Sequence, residues 1–586
     1  MTTEFLKPAL SRRSLFRFAG GGIAAAALAA TAGCNRDSGG TEGPDVDLSR
    51  TIELPEPTPG HLYPDPYVGP RAYDREPFGD GTTTFKVVVQ QDPTVTGDWN
   101  NNAFSTWLEK RTGVKVEYQA INTTGPDGGT DLSKVNAMLA GGELPDAFLG
   151  IPLTQGQISL YGQQGLFQDL TEIVDSYAPM QRAMLDEKPT LRTGMTSPDG
   201  KRYQMAGVNE CYHCNTALSK AFINTEYLDK IGGTMPETLE DFRNVLKELK
   251  ERNPSGKEGF LPFMAGNPTW DGMDVWFVNP FTYNPGEPWL RLNNGQVEFV
   301  PTLPEWRQGM AYMRSLFDDG TLPKQAFSIT RSELVKLGDQ GLIGVARCFY
   351  WGAFVSIEYN KDALWRQYDP IMPLRGPSGK GIASNNYQVG PLNSLVITNQ
   401  CKHPEILAQW GDYQLDLEAI LRAYDRGGEQ GEQWDYAEEG EKGIDGRQAV
   451  WKTVGASDTD ETVGRGWNQL SLMYRSLDFR NGQVNDPENP TFEADLYEVT
   501  KQYEEFWQPQ EQQLPPLIFE DSVAAQVADT ASTIKNHVLT SYAKFATAGA
   551  DIHDDRVWND YVATFDDMGL QEYVEQYQQA YEARPR

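Results

Sequence analysis

The sequence predicts an α/β fold with a parallel sheet, and two observations carry that prediction. Between Thr84 and Leu149 three runs of β-type residues alternate with two stretches of helical spacing, and a strand–helix–strand–helix–strand order closes as a parallel sheet with right-handed crossovers. The chain has 586 residues, 39% hydrophobic, 11% aromatic and 23% charged. At about 100–200 residues per domain, that is enough for several folding units, or two large lobes with extensions.

The first segment is an address. Ser11-Arg12-Arg13-Ser14-Leu15-Phe16-Arg17 is a twin-arginine run, followed by a Gly/Ala-rich apolar stretch from Phe18 to Ala32 and by Thr31-Ala32-Gly33-Cys34. Basic, apolar and small residues in that order form an export signal, and the apolar run is too short for a permanent span. The segment resembles a Tat-type signal whose Cys34 matches a bacterial lipobox, with Thr31 standing where such boxes carry Leu or Val. The resemblance implies cleavage before Cys34 and diacylation of its thiol; two acyl chains suffice for stable tethering. A plain N-terminal anchor with an incidental cysteine is the alternative. Residues 35–80 hold 6 Gly and 8 Pro, so 34–80 is expected to be a flexible tether. An extended arm packed on the domain is the other reading for Tyr63 to Phe78, where aromatics interleave with prolines.

Order is expected from Thr84. Phe85–Val89 is a β-rich run. Asn102 to Arg111 carries Phe104, Trp107 and Leu108 on one helical face and stops at Gly113, and Val114–Tyr118 alternates as a second strand. Asp131 to Ala140 repeats the helical spacing with Leu132, Val135, Met138 and Leu139, and Leu144–Leu149 follows as a third strand. Thr238 to Asp241 is a capping box opening a helix with Leu239, Phe242, Val245, Leu246 and Leu249 inward. Beyond Pro515 the chain turns helical, with Trp558, Tyr561, Val562 and Phe565 at i, i+3, i+4 and i+7.

The chemistry is mostly exclusion. A net charge of −31 repels phosphate backbones, so nucleic acid is not an expected partner. The chain contains no G-x-S-x-G, GK[ST] or H-E-x-x-H motif among its residues, which removes three common catalytic signatures. Cys211-Tyr212-His213-Cys214 is the sharpest local motif. Zinc would need further ligands, with only Cys348 and Cys401 remaining, and a redox pair would need a thioredoxin-like helix start. Structural disulfide formation in an oxidising compartment is the expected role, with three full pairings open to the four cysteines.

An ordered set of short landmarks then runs along the mature chain. They include Gly142-Glu143-Leu144-Pro145-Asp146, Gln164 to Leu170, Tyr177-Ala178-Pro179 and Asp199 to Tyr203, then Phe222-Ile223-Asn224, Tyr227 to Gly232 and Pro236-Glu237-Thr238. Pro373 to Lys380, Gly428 to Glu432, Trp558 to Tyr561 and Met568-Gly569-Leu570 complete the set. Together they resemble the larger, lipoprotein-type members of the family 1 extracellular solute-binding proteins, the sugar-binding components of ABC importers. The resemblance implies a two-lobed, type II periplasmic-binding-protein-like fold with a ligand cleft between lobes joined by crossover strands. On that basis lobe 1 is expected over 81–208, lobe 2 over 209–386, a return to lobe 1 over 387–480, and a mostly helical segment completing the lobes over 481–586. The first crossover is placed near Val208 to Cys211 and the return near Tyr387 to Leu395, so a Cys211–Cys214 disulfide would lie at a hinge. Several relatives carry an acidic calcium loop where this chain has Asn253 to Phe260. One Glu beside a Lys is a poor offer to a hard cation, and neither metal nor cofactor is expected.

A sugar needs aromatic platforms and rigid polar groups. Loops expected on the cleft side supply Trp99 and Asn100, Gln155, Glu210, Trp270 and Asp271, and Tyr350 and Trp351; Trp351 follows a buried strand where relatives stack a tryptophan on sugar. Asp98 is a further rim acceptor, whereas Trp107, Trp558 and Tyr561 sit on apolar helix faces and belong to the core. The function implied is binding without chemistry: a monomer anchored outside the cell membrane through Cys34 takes a carbohydrate ligand and docks on the transmembrane subunits of an ABC permease. A secreted carbohydrate-active enzyme and a non-transport surface lipoprotein are the alternatives, and the residues do not choose among neutral sugars, uronates and peptides as ligand.

Overall fold

The computed structural model describes residues 46–584 apart from 92–95, 125–129, 267–271, 359, 389, 425–426, 455–462, 489, 518 and 520. The export signal, Cys34, Trp270 and Asp271 lie outside the described residues.

Two mixed sheets, each with its own core, organise the chain. The strands that build them are β1 (Thr84–Gln90), β2 (Lys115–Ile121), β3 (Ala147–Leu149), β4 (Met205–Asn209), β5 (Phe222–Asn224), β6 (Leu261–Ala265), β7 (Ile343–Arg347), β8 (Tyr368–Pro370), β9 (Leu392–Ile397) and β10 (Tyr474–Arg475). In the first lobe the order is β10-β4-β9-β3-β1-β2. β1 pairs in parallel with β2 and β3, Val87 lying opposite Tyr118 and Ala147, as the alternation along 84–149 predicts. β9 runs antiparallel between β3 and β4, and it re-enters this sheet after β8 of the other one. The second sheet has the order β8-β5-β7-β6, with β6 and β7 parallel and β5 antiparallel to both its neighbours.

The run Val87-Val88-Val89 is buried throughout because both faces of the first sheet are covered. Val87 and Val89 enter one cluster with Phe104, Leu108 and Leu395; Val88 points the other way, to Val135, Phe148 and Val396, as a period of two requires. Helix α1 (Ala103–Thr112) begins where Asn102 accepts the amides of Phe104 and Ser105, and ends at Gly113 in the left-handed region. Helix α2 (Ser133–Gly141) likewise ends on a left-handed glycine. The third strand is shorter than expected, because Asp146 turns its carboxylate back to the Lys86 amide at 2.8 Å and leaves only Ala147–Leu149 for the ladder. Helix α3 (Gln155–Gln163) follows it.

In the second lobe helix α4 (Leu239–Arg252) carries the Thr238–Asp241 capping box and buries Phe242, Val245, Leu246 and Leu249. The same core takes Leu496, Val499 and Tyr503 of α5 (Phe492–Tyr503), Val538 and Phe545 of α6 (Asp521–Ala546), Trp558, Tyr561 and Phe565 of α7 (Asp555–Asp567) and Tyr573 of α8 (Leu570–Ala583). The C-terminal helices thus complete the second lobe, whereas Leu395 to Phe479 belong to the first lobe's core.

From Val46 the expected flexible tether is instead a packed arm. Tyr67 and Ala72 are buried in the first lobe's core, the Ile52 amide donates to the Ser176 carbonyl at 2.8 Å and Tyr413 donates its hydroxyl to the Glu76 carbonyl at 2.7 Å. Arg75 pairs with Asp412 at 2.6 Å and stacks on Tyr413, 3.7 Å from the ring centroid. Prolines set the extended path while the interleaved aromatics bury, so Pro/Gly content alone misreads the segment. No helix among the described residues is long and apolar enough to cross a membrane.

Candidate ligand-binding site

Three segments cross between the lobes: β4 to β5, β8 to β9, and β10 to α5. They run side by side and are fastened to one another. The Glu210 amide donates to the Arg475 carbonyl at 2.8 Å, the Asn386 amide donates to the Asn215 carbonyl at 2.8 Å, and the Glu210 carboxylate accepts the Leu477 amide at 2.8 Å. The first crossover opens with a Cys211–Cys214 disulfide, Cα atoms 5.1 Å apart, and continues in 3-10 turns over His213–Ser219. Cys348 and Cys401 are free and buried. Among the described residues Cys211, His213 and Cys214 are the group with ligand atoms close enough to share a metal, within 4.8 Å of one another, and both sulfurs are spent in the disulfide.

Glu493 ties the first and third crossings together. Its carboxylate lies 3.0 Å from His213 Nε2 and 2.6 Å from Arg480. Burial alone would raise this carboxyl, but Arg480, His213 and Arg475 outweigh burial and hold it far below its ordinary value. Burial depresses His213, against the pull of Glu493. Lys220, at the end of this crossover, is fully buried, donates to the His213 carbonyl at 2.6 Å, and is brought down to about 7 by desolvation and by Arg347.

The return crossover is an amide array. Gln508 accepts the Asn385 amide at 2.7 Å and donates to the Asn385 carbonyl at 2.6 Å, and Gln513 accepts the Tyr387 amide at 2.8 Å and donates to Asn386 Oδ1 at 2.9 Å. Thr216 donates to Asn385 Oδ1 at 3.2 Å. Beside this array opens a cavity of about 550 Å³, walled by residues including Asn215, Tyr283, Asn386, Gln388, Phe519 and Tyr577. Sequence reasoning located the return crossover but missed its amides; the signal was the run Asn385-Asn386-Tyr387-Gln388 itself.

Among the described residues, those expected to bind ligand are engaged within their own lobes or crossovers. Trp99 is 1% exposed, its ring 4.8 Å from Trp467 and 5.6 Å from Tyr118, so it is a core residue and not a cleft platform. Trp351 is corrected in the same way: it is 4% exposed, lies 4.8 Å from Phe222 and 5.2 Å from Trp365, and donates Nε1 to the Tyr368 carbonyl at 2.8 Å. Asn100 spends both ends of its amide on the Tyr118 backbone, at 2.9 Å each, and Asp98 caps the Asn100 amide at 3.0 Å. Glu210 is held by Lys188 at 2.7 and 2.8 Å, which makes it a crossover fastener instead of a rim acceptor. Gln155 opens α3 and joins a polar chain in which Gln204 donates to Gln155 and accepts from Ser394. Tyr350 is half-buried, its hydroxyl bonded by Arg331 and its ring 5.8 Å from Phe492. In the turn after α4, Asn253 donates to the Lys257 carbonyl at 2.9 Å and Ser255 donates to Asn253 Oδ1 at 2.7 Å, so these oxygens serve the turn.

A family model described as bacterial extracellular solute-binding protein matches residues 80–416. The chain is 24% identical over 503 residues to the fructooligosaccharide ABC transporter substrate-binding protein FusA of Streptococcus pneumoniae, covering 84% of this chain and 88% of that one. The structure of FusA in complex with kestose superposes with a TM-score of 0.71 at 20% identity, over 85% of this chain and 99% of the other. Lipoprotein LipO of Bacillus subtilis is 28% identical over 291 residues, 47% of this chain and 52% of LipO. An HMO-binding ABC-transporter-associated solute-binding protein of Bifidobacterium longum infantis superposes with a TM-score of 0.67 at 19% identity, covering 87% of this chain and 99% of the other. With its antiparallel return strand, its shared second core and a family match over more than half its length, the chain belongs to the bacterial extracellular solute-binding proteins.

Proposed function

We propose that this protein is the oligosaccharide receptor of an ABC importer. The observation that carries the reading is the similarity to FusA along 84% of the chain, which spans both lobes and all three crossings. The receptor is exported by its Tat-type signal, held at the outer face of the cell membrane by diacylated Cys34, and acts as a monomer. It performs no chemistry: a two-lobed body samples closure, contacts from both lobes stabilise the closed form, and that form docks on the permease. A micromolar affinity corresponds to about 8 kcal/mol net.

Calorimetric titration of the mature protein with fructo-oligosaccharides and milk oligosaccharides tests the reading, with chromatography of the mixture after prolonged incubation. Saturable binding with the sugar recovered intact is expected. Released fragments would establish a carbohydrate-active enzyme, and absence of binding across the panel would favour a surface lipoprotein outside transport. Cys34→Ala is expected to move the protein from the membrane fraction to the soluble one.

A further inference from the structure

We propose that the cavity beside the crossovers is a sugar subsite that accepts uncharged units and rejects acidic ones; the proposal rests on the receptor reading above. Its size, about 550 Å³, lies within the range of small-molecule sites, roughly 300–1,000 Å³. Its chemistry is that of a polyol site. Asn215, Asn386 and Gln388 bring carboxamides to the wall, and a carboxamide offers donor and acceptor together, as a hydroxyl requires, without carrying charge. Asn386 is aimed by Gln513, which donates to its oxygen at 2.9 Å, so its NH₂ is left for a ligand. The side chains of Asn215 and Gln388 make no hydrogen bond among the described residues, and both are only partly exposed.

The apolar part of the wall complements the amides. Phe519 and Tyr577 both line the cavity and form an edge-on pair with ring centroids 4.9 Å apart, presenting aromatic surface of the kind that covers the C–H face of a pyranose or furanose. The sign of the site follows from Glu287, its one charged lining residue among the described residues, which is paired with Lys535 at 2.9 Å. Among the described residues neither Lys, Arg nor His lines the cavity. Lys535 is engaged by Glu287 and does not line the cavity, so a carboxylate on the ligand would be desolvated beside another carboxylate with no lining cation to receive it. Asn215 belongs to the first crossover and Asn386 and Gln388 to the return, so a sugar held here touches two of the three connections between the lobes.

The test titrates the mature protein with kestose, maltotriose, lacto-N-tetraose and an alginate trisaccharide, and repeats the titration of the tightest binder on Gln388→Leu, Asn386→Ala and the cavity-filling Leu218→Trp. Near-ultraviolet circular dichroism and melting temperature confirm that each variant is folded. The expected result is that a neutral sugar binds, the alginate trisaccharide does not, and each amide loss weakens binding by about five- to tenfold. A neutral sugar binding equally well to all three folded variants would overturn the subsite while leaving the receptor reading intact. Tightest binding of the alginate trisaccharide would overturn the charge selectivity. Failure of all four sugars would overturn the receptor reading and, with it, this inference.

Discussion

Trp351 follows a buried strand, and its position in the sequence suits a stacking platform. Burial decides otherwise: the indole is enclosed by Phe222 and Trp365 and satisfied by the Tyr368 carbonyl. Trp351→Ala should therefore cost about 3–5 kcal/mol of stability, read from the urea midpoint, while sugar affinity per folded molecule stays the same. Lys220 gives a second expectation at this scale. Its folded value near 7 is below its ordinary 10.5, so between those values the unfolded chain binds more protons and stability must rise with pH. Lys220→Met should raise the melting temperature at pH 7 and flatten its rise between pH 7 and 10; a variant with the wild-type slope would exclude Lys220 as the titrating group.

The N-terminal arm shows what an element-level reading of composition misses. The periodic helices and the first strands were legible because their apolar spacing and caps are local: Asn102 and Gly113 bound α1, and Thr238 with Asp241 opens α4. For the arm, composition favoured a tether and only the interleaved aromatics of Tyr63 to Phe78 hinted at packing, since its stability comes from partners hundreds of residues away, Arg75 with Asp412 above all. The site was opaque for the same reason, because whether an indole lines a cleft or fills a core depends on tertiary neighbours such as Trp467. Arg75 and Asp412 are 5% and 0% exposed, and removing one partner of a buried pair strands the other charge. Asp412→Asn is expected to destabilise by about 3–5 kcal/mol and to expose the arm to proteolysis, monitored by limited trypsin digestion. The Cys211–Cys214 loop is short, so the double serine variant should lose about 2 kcal/mol or less and remain folded.

At the scale of the whole molecule, three fastened crossings form a broad strap that links the lobes. Small-angle scattering is expected to show a smaller radius of gyration when a bound oligosaccharide saturates the protein; unchanged dimensions at saturation would exclude closure. The second lobe carries one further consequence. Its core draws on residues from Ala221 to Ala383 and again on Leu496 to Tyr573, so nascent polypeptide lacks part of that core until translation has passed Tyr573. Folding of this half must therefore wait until its last helix, α8, has been made and can pack against the strands laid down more than 180 residues earlier, so the second lobe is expected to fold after the first.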